Sequence, residues 1–287
     1  MSETTVEDIV TDCEKRFAFP ELLDINYFQK YRRSYYSSRE LGLLSCHRNY
    51  VNLLTFLEEI NEYNQQHANS YVKRFRENAN DWRNCEAIFS EVIVYRHYIR
   101  PIYEGLIKAL ELHDTEADVI VERLDGTKAY LEVFCVMPCF RKPDDGEFVV
   151  YEVKTHTQTA KASIRQKLLN KILTQQQLSK PRENYAVIEL NDPSIAGDFS
   201  VLSSLSSGYT ITFNKETREV ISEGYNWDGS VFEDSSTQYV KAIIHFSLGN
   251  YDSRKFLFNP NFHSPVTPNM SVERDASRMK PRSRPSP

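Results

Sequence analysis

An α/β fold built around one sizeable sheet is predicted for this 287-residue chain, and three observations predict it. Residues 5 to about 112 carry apolar side chains at helical spacing, Glu116 to Met137 reads as a β-hairpin, and the last third holds short β-branched and aromatic runs. Hydrophobic residues at 40% are enough to bury one large core or two small ones. No run approaches the roughly 18 apolar residues of a membrane span. The start, MSETTVEDIVTDCEKR, is acidic where a signal peptide is basic and then apolar. An intracellular protein, cytoplasmic or nuclear and without membrane contact, is therefore expected.

The elements follow in chain order. Tyr50 to Tyr63 places Val51, Leu54, Leu57 and Ile60 on one helix face. A second helix starts near Asn80, carries Ile88, Val92, Tyr95 and Ile99 on one stripe with Glu91 beside it, and is expected to end before Pro101. Ile102 to Leu112 reads as a further helical turn. In the hairpin, Asp118 opens the run Val119, Ile120 and Val121, Asp125-Gly126 supplies turn chemistry, and Glu132 lies inside Ala129 to Val136. Turn and bulge decide which faces the two acids show, so their meeting is an inference from the hairpin. Glu147 to His156 alternates as a strand, Ala160 to Lys180 is helical up to Pro181, and Tyr185 to Leu190 is a short buried strand. Tyr209 to Phe213, Glu219 to Glu223, Val240 to Leu248 and Lys255 to Asn261 complete the strands, with Val240 to Leu248 extending the main sheet. The segmentation expected is a helical extension over 1–79, an α/β domain over 80–265 and a basic, disordered tail over 266–287.

Charge and motifs narrow the chemistry. A formal net charge of −5 argues against loose attraction to nucleic acid, although a bound cation and local basic residues can offset phosphate charge inside a site. Five scattered cysteines without paired spacing suggest neither a disulfide framework nor a zinc site. The nine glycines form no phosphate loop or dinucleotide fingerprint, and the histidines lack a triad partner motif. Glu132 is the stronger of the two hairpin acids, because a carboxylate among Leu131, Val133 and Phe134 has to face a cleft or be paired.

ADVIVERLDGTKAYLEVF, the segment IRQKLLNKILTQQQL and the run YAVIEL, in the order helix, three strands, helix, strand, resemble the core of the PD-(D/E)XK nuclease superfamily over roughly residues 80 to 192. The resemblance implies a restriction-endonuclease-like αβββαβ core, with the helical N-terminal extension before it and extra C-terminal strands after it. It implies that Asp118 and Glu132 hold Mg2+, or Mn2+, with Glu91 as an outer ligand from the preceding helix, and that the substrate is a phosphodiester of DNA or RNA. The chain departs from the family where the motif lysine would stand, at Phe134.

Two replacements for that lysine stand open. In one, Lys171 or Gln175, which interrupt the apolar stripe Ile164, Leu168 and Leu178, reach into the vacated space. In the other, Glu152-Val153-Lys154 is the acid-x-lysine motif and Glu132 takes the part of the first acid. The tight hairpin joining Asp118 to Glu132 favours the first. Two functions follow: a metal-dependent endonuclease-like enzyme, or a catalytically inactive relative that binds nucleic acid or a protein partner. Tyr27, Tyr31, Tyr35 and Tyr36, near Arg32 and Arg33, are either a partner surface or core packing.

Overall fold

Helices α1 (Val6–Arg16), α2 (Asn26–Glu40), α3 (Tyr50–Tyr63), α4 (Gln65–Glu77) and α5 (Trp82–Tyr103) lead into a mixed sheet. The computed structural model describes residues 5–40, 47–113, 116–137, 166, 168, 170, 178–191, 205–206, 208–226 and 230–264. The strands are β1 (Ala109–His113), β2 (Ala117–Glu122), β3 (Lys128–Val136), β4 (Asn184–Leu190), β5 (Gly208–Phe213), β6 (Val220–Asn226), β7 (Val240–Ser247) and β8 (Asn250–Phe258). Six of them form one sheet in the order β1-β2-β3-β4-β7-β8, and β5 with β6 makes a separate two-stranded ribbon. The β1–β2, β2–β3 and β7–β8 pairs are antiparallel, whereas β3–β4 and β4–β7 are parallel. The chain is thus mixed α/β, and no described helix is long and apolar enough to cross a membrane.

Local chemistry explains the helix starts. Thr5 and Asp8 form a reciprocal capping box at α1, and Asn49, Asn64 and Asp81 accept backbone N–H groups at the starts of α3, α4 and α5. The α3 stripe is as spaced in the sequence, with Leu53 joining Leu54, Leu57 and Ile60 in the core; each such burial contributes about 1.5–3 kcal/mol.

Three expectations change. Helix α5 runs through Pro101 to Tyr103, because a proline near a helix end costs one backbone hydrogen bond without undoing the turn that holds Ile99 in the core. Gly105, at φ +68, then ends it, and Ala109–His113 is a strand where a helical turn was expected. Pairing decides that segment: Leu110 sits opposite Val121 and is buried against the core. The last strand begins five residues early, at Asn250, since Leu248 and Gly249 both take positive φ and close a two-residue hairpin turn from β7. The expected strand over 147–156, most of the helix over 160–180 and the tail over 266–287 lie outside the described residues.

The sheet has two buried faces. Val119, Val121, Leu131, Val133, Val187, Ile244 and Phe246 point into a core that reaches back to Val10 and takes in α1 to α5. Phe134, Val136, Ile188, Leu190 and Ile243 point the other way, onto Leu168, Leu178 and Phe232. Strand β4, flanked on both sides by parallel neighbours, is buried along its whole length, which explains its unbroken apolar run. Tyr27 packs on Phe75 and Trp82, and Tyr31 on Trp82 and Phe89, while Arg32 pairs with Glu14. Tyr27 and Tyr31 are therefore core packing rather than a partner surface, because α2 lies directly against α4 and α5 through them.

Candidate functional site

Asp118 lies just beyond the end of the β2–β3 ladder. The ladder pairs Glu122 with Lys128, Val121 with Ala129, Ile120 with Tyr130 and Val119 with Leu131. Asp118 and Glu132 are the next residues beyond the last pair of that ladder. There Asp118 Oδ2 accepts the backbone N–H of Val133 at 2.8 Å, so a carboxylate takes over from the strand backbone as the acceptor for β3. The turn is set by Gly126 at φ +81 and by Asp125 Oδ1, which accepts the Thr127 N–H at 2.9 Å. Glu132 lies on the same side of β3 as Phe134 and is only 1% exposed.

Two arginines from other elements attend this region. Arg74 of α4 forks both oxygens of Glu91, with Nη2 2.7 Å from Oε1 and Nη1 bonded to Oε2. Burial opposes the Arg74 charge, yet the bonds and charge of Glu91, with Tyr71 and Asp118 behind them, hold its pKa above the ordinary guanidinium value. Arg182, just before β4, has a side chain 13% exposed, with its guanidinium 3.9 Å from the centre of the Tyr130 ring. Its Nε donates to Asn184 Oδ1 at 2.9 Å, Nη2 donates to the Glu116 carbonyl, and Nη1 is 3.4 Å from the Glu116 carboxylate. Burial lowers the Arg182 pKa, while the charges of Glu116, Tyr130 and Glu132 pull it back.

Asp118 and Glu132 are hard oxygen donors of the kind that suit Mg2+ or Mn2+. Glu91 is 4% exposed and paired with Arg74, and α5 packs on the sheet face that carries Leu131 and Val133. The Asp118 charge acts on the same Arg74. Among the described residues no three His, Cys, Asp or Glu side chains are grouped closely enough to hold a metal ion. Phe134 is 5% exposed and packed with Leu168 and Leu178, which flank Lys171 and Gln175 in the sequence. Lys171, Gln175 and Lys154, with Glu152, lie outside the described residues.

A second acid cluster had no sequence signal. Arg48 is buried between Glu86 of α5 and Glu189 of β4, with side-chain exposures of 1%, 2% and 0%. Arg48 Nε donates to Glu86 Oε2 at 2.7 Å, Asn191 donates to the same oxygen at 2.8 Å, and Tyr31 donates to Oε1 at 3.0 Å. Glu189 accepts from Arg48, from Ser90 and, at 2.8 Å, from the Gly249 N–H. Burial pushes the Glu86 carboxyl up while Arg48 draws it down, and the net shift is upward. Cys135, level with Glu189 in the β3–β4 register, has its thiol pushed up to about 12 by burial, with the Glu189 charge adding to it. A thiol at that value is inert at neutral pH.

Arg74, Arg182 and Arg48 were all missed for one reason. Each meets its acid from a different element, and Arg182 in the run KPREN reads as an ordinary turn residue. No protein-family model, curated protein or solved structure matches this chain.

Proposed function

We propose that this chain is a metal-dependent, endonuclease-like protein that hydrolyses phosphodiesters of DNA or RNA at Asp118 and Glu132. The single observation that carries the reading is the reach of Asp118 onto the strand of Glu132: just beyond the last pair of the β2–β3 ladder, its Oδ2 accepts the Val133 N–H at 2.8 Å. The chain order supports it. Helix α5, the antiparallel meander β1-β2-β3 and then β4 parallel to β3 follow the order of the PD-(D/E)XK core. That β1 gives a three-stranded meander by residue 136 supports Asp118 and Glu132 as the acids of that order over the alternative built on Glu152 and Lys154.

In this reading Asp118 and Glu132 would hold an Mg2+ or Mn2+ ion, which would supply a water of lowered pKa and neutralise charge building on the phosphate. The Val133 N–H orients Asp118, and the surrounding burial fixes Glu132 so that neither carboxylate reorganises during the reaction.

A second reading has its own observations. Phe134 fills the lysine position with apolar core, and Arg74 engages Glu91; both favour an inactive member of this fold that binds nucleic acid or a protein. Calorimetry with Mn2+ and a cleavage assay on mixed DNA and RNA separate the two. Asp118→Asn and Glu132→Gln are each expected to weaken Mn2+ binding by at least about tenfold and cleavage by about a hundredfold or more. A native protein that neither binds Mn2+ nor cleaves ends the hydrolase reading in favour of the second.

A further inference from the structure

Resting on the reading of this chain as one that acts on or binds nucleic acid, we infer that the exposed face of β8 is a stacking platform for unpaired bases. The substrate class is then single-stranded nucleic acid.

Strand β8 is the edge strand of the six-stranded sheet. Residues two apart on a strand share a face, so Arg254, Phe256 and Phe258 stand together. Their neighbours in β7, Ile244 beside Phe256 and Ala242 beside Phe258, are buried in the core that takes in the helices, yet the two phenyl rings are 42% and 52% exposed. The rings lie nearly parallel, 13° apart with centres separated by 5.9 Å. Flat aromatic faces left in water are what unpaired bases stack on, whatever their sequence. Phe256 also walls a cleft of about 510 Å³ with Tyr98, Leu106, Leu124 and Tyr185, so the platform runs into a recess of the size that small ligands occupy.

The cation beside the rings has no counter-anion. The Arg254 guanidinium lies 4.9 Å from the centre of the Tyr251 ring and 5.7 Å from that of Phe256, within reach of both. Its Nη1 donates to the Tyr251 carbonyl at 3.2 Å, its Nε is buried without an acceptor, and Arg254 forms no ion pair among the described residues. Asp252, the acid on the same side of the strand, pairs with His97 at 3.0 Å instead. A partly buried guanidinium held between rings is complementary to the phosphate that follows a stacked base. An apolar protein segment would cover the rings and leave that cation unpaired. A duplex would meet the cation but keeps its base faces stacked on each other.

Fluorescence anisotropy with a single-stranded DNA of mixed sequence, the RNA of the same sequence and the blunt DNA duplex, in Ca2+ to hold them uncleaved, tests the assignment. At least one single strand is expected to bind about tenfold or more tighter than the duplex. Phe258→Leu keeps apolar area but removes the flat face, and is expected to weaken that binding by about fivefold to a hundredfold, whereas Phe258→Trp retains it. Arg254→Met is expected to lower the salt dependence by about one phosphate contact, a change that no folding defect produces. Single-strand binding no tighter than duplex binding, native-like binding by Phe258→Leu, equal losses in Phe258→Leu and Phe258→Trp, or no binding by the native protein overturns the inference. A native dimer in sedimentation that Phe258→Leu dissolves, without nucleic-acid binding, overturns it in favour of a second copy on this face. The expected binding pattern without any cleavage in Mn2+ leaves the platform and removes only the hydrolase reading, and cleavage in Mn2+ that Phe258→Leu leaves unchanged removes only the platform.

Discussion

Two pairs of acids, one within the sheet and one joining it to α5, differ in their surroundings. Glu86 and Glu189 close on Arg48 with side chains 2% exposed or less, and the cluster draws its donors from the Arg48 guanidinium, Tyr31, Ser90, Asn191 and the Gly249 backbone. Asp118 and Glu132 lie at the end of a ladder, with Asp118 half-buried and Glu132 buried. A sealed acid cluster ties elements together, since desolvated charges of opposite sign are costly to separate. Asp118 instead spends one oxygen on the Val133 backbone N–H. Placement in the sheet, rather than residue type, separates the structural acids from the candidate functional ones.

The contrast can be broken at three points. Arg48→Met leaves two buried carboxylates without their cation and is expected to destabilise the fold by about 3–5 kcal/mol in urea unfolding. A loss below about 1 kcal/mol would mean that the sealed cluster is not a tie. Gly249→Ala comes next. The backbone there has φ +79, and an added methyl would lie 2.8 Å from the Arg48 backbone nitrogen, so the turn and the Glu189 contact are strained together. The expected cost is about 2 kcal/mol by thermal or urea unfolding.

Glu86→Gln has the smallest effect at any one pH but a distinctive shape. The folded protein raises the Glu86 pKa above the ordinary 4.5, so it binds that proton more tightly than the unfolded chain does. The contribution is fully present below 4.5 and is lost as pH rises through the raised folded value. Urea titrations at several pH values from 4.5 upward are expected to show native stability falling relative to Glu86→Gln as pH increases. A difference between the two that stays constant with pH would refute this.

Much of the fold was legible because it depends on local chemistry. The α3 stripe, the capped helix starts, the 116–137 hairpin and the buried run of β4 follow from periodicity, side-chain capping and turn residues that act within a few positions. The segment over 102–112 was misread because KALEL suits a helix or a strand equally, and only its pairing with β2 decides. The tyrosines of α2 were ambiguous for the same reason. Their spacing describes a stripe without saying whether another helix covers it.

The candidate site divides along the same line. That Asp118 and Glu132 fall on neighbouring strands of one hairpin was legible because one tight turn links them, and a turn of known chemistry sets register over a short distance. Glu91 was correctly placed beside the stripe of α5, but its partner, Arg74, comes from another helix. By itself, then, the sequence determined which segments are helices and strands wherever turn, cap and period agree, and which two acids a hairpin can oppose. Only the tertiary structure decided which cation each acid meets, that Phe134 is core, and that Arg48 joins Glu86 to Glu189. The physical reason is distance along the chain: Arg48 and Glu189 are 141 residues apart, and no local rule acts over that separation until the sheet and helices have packed.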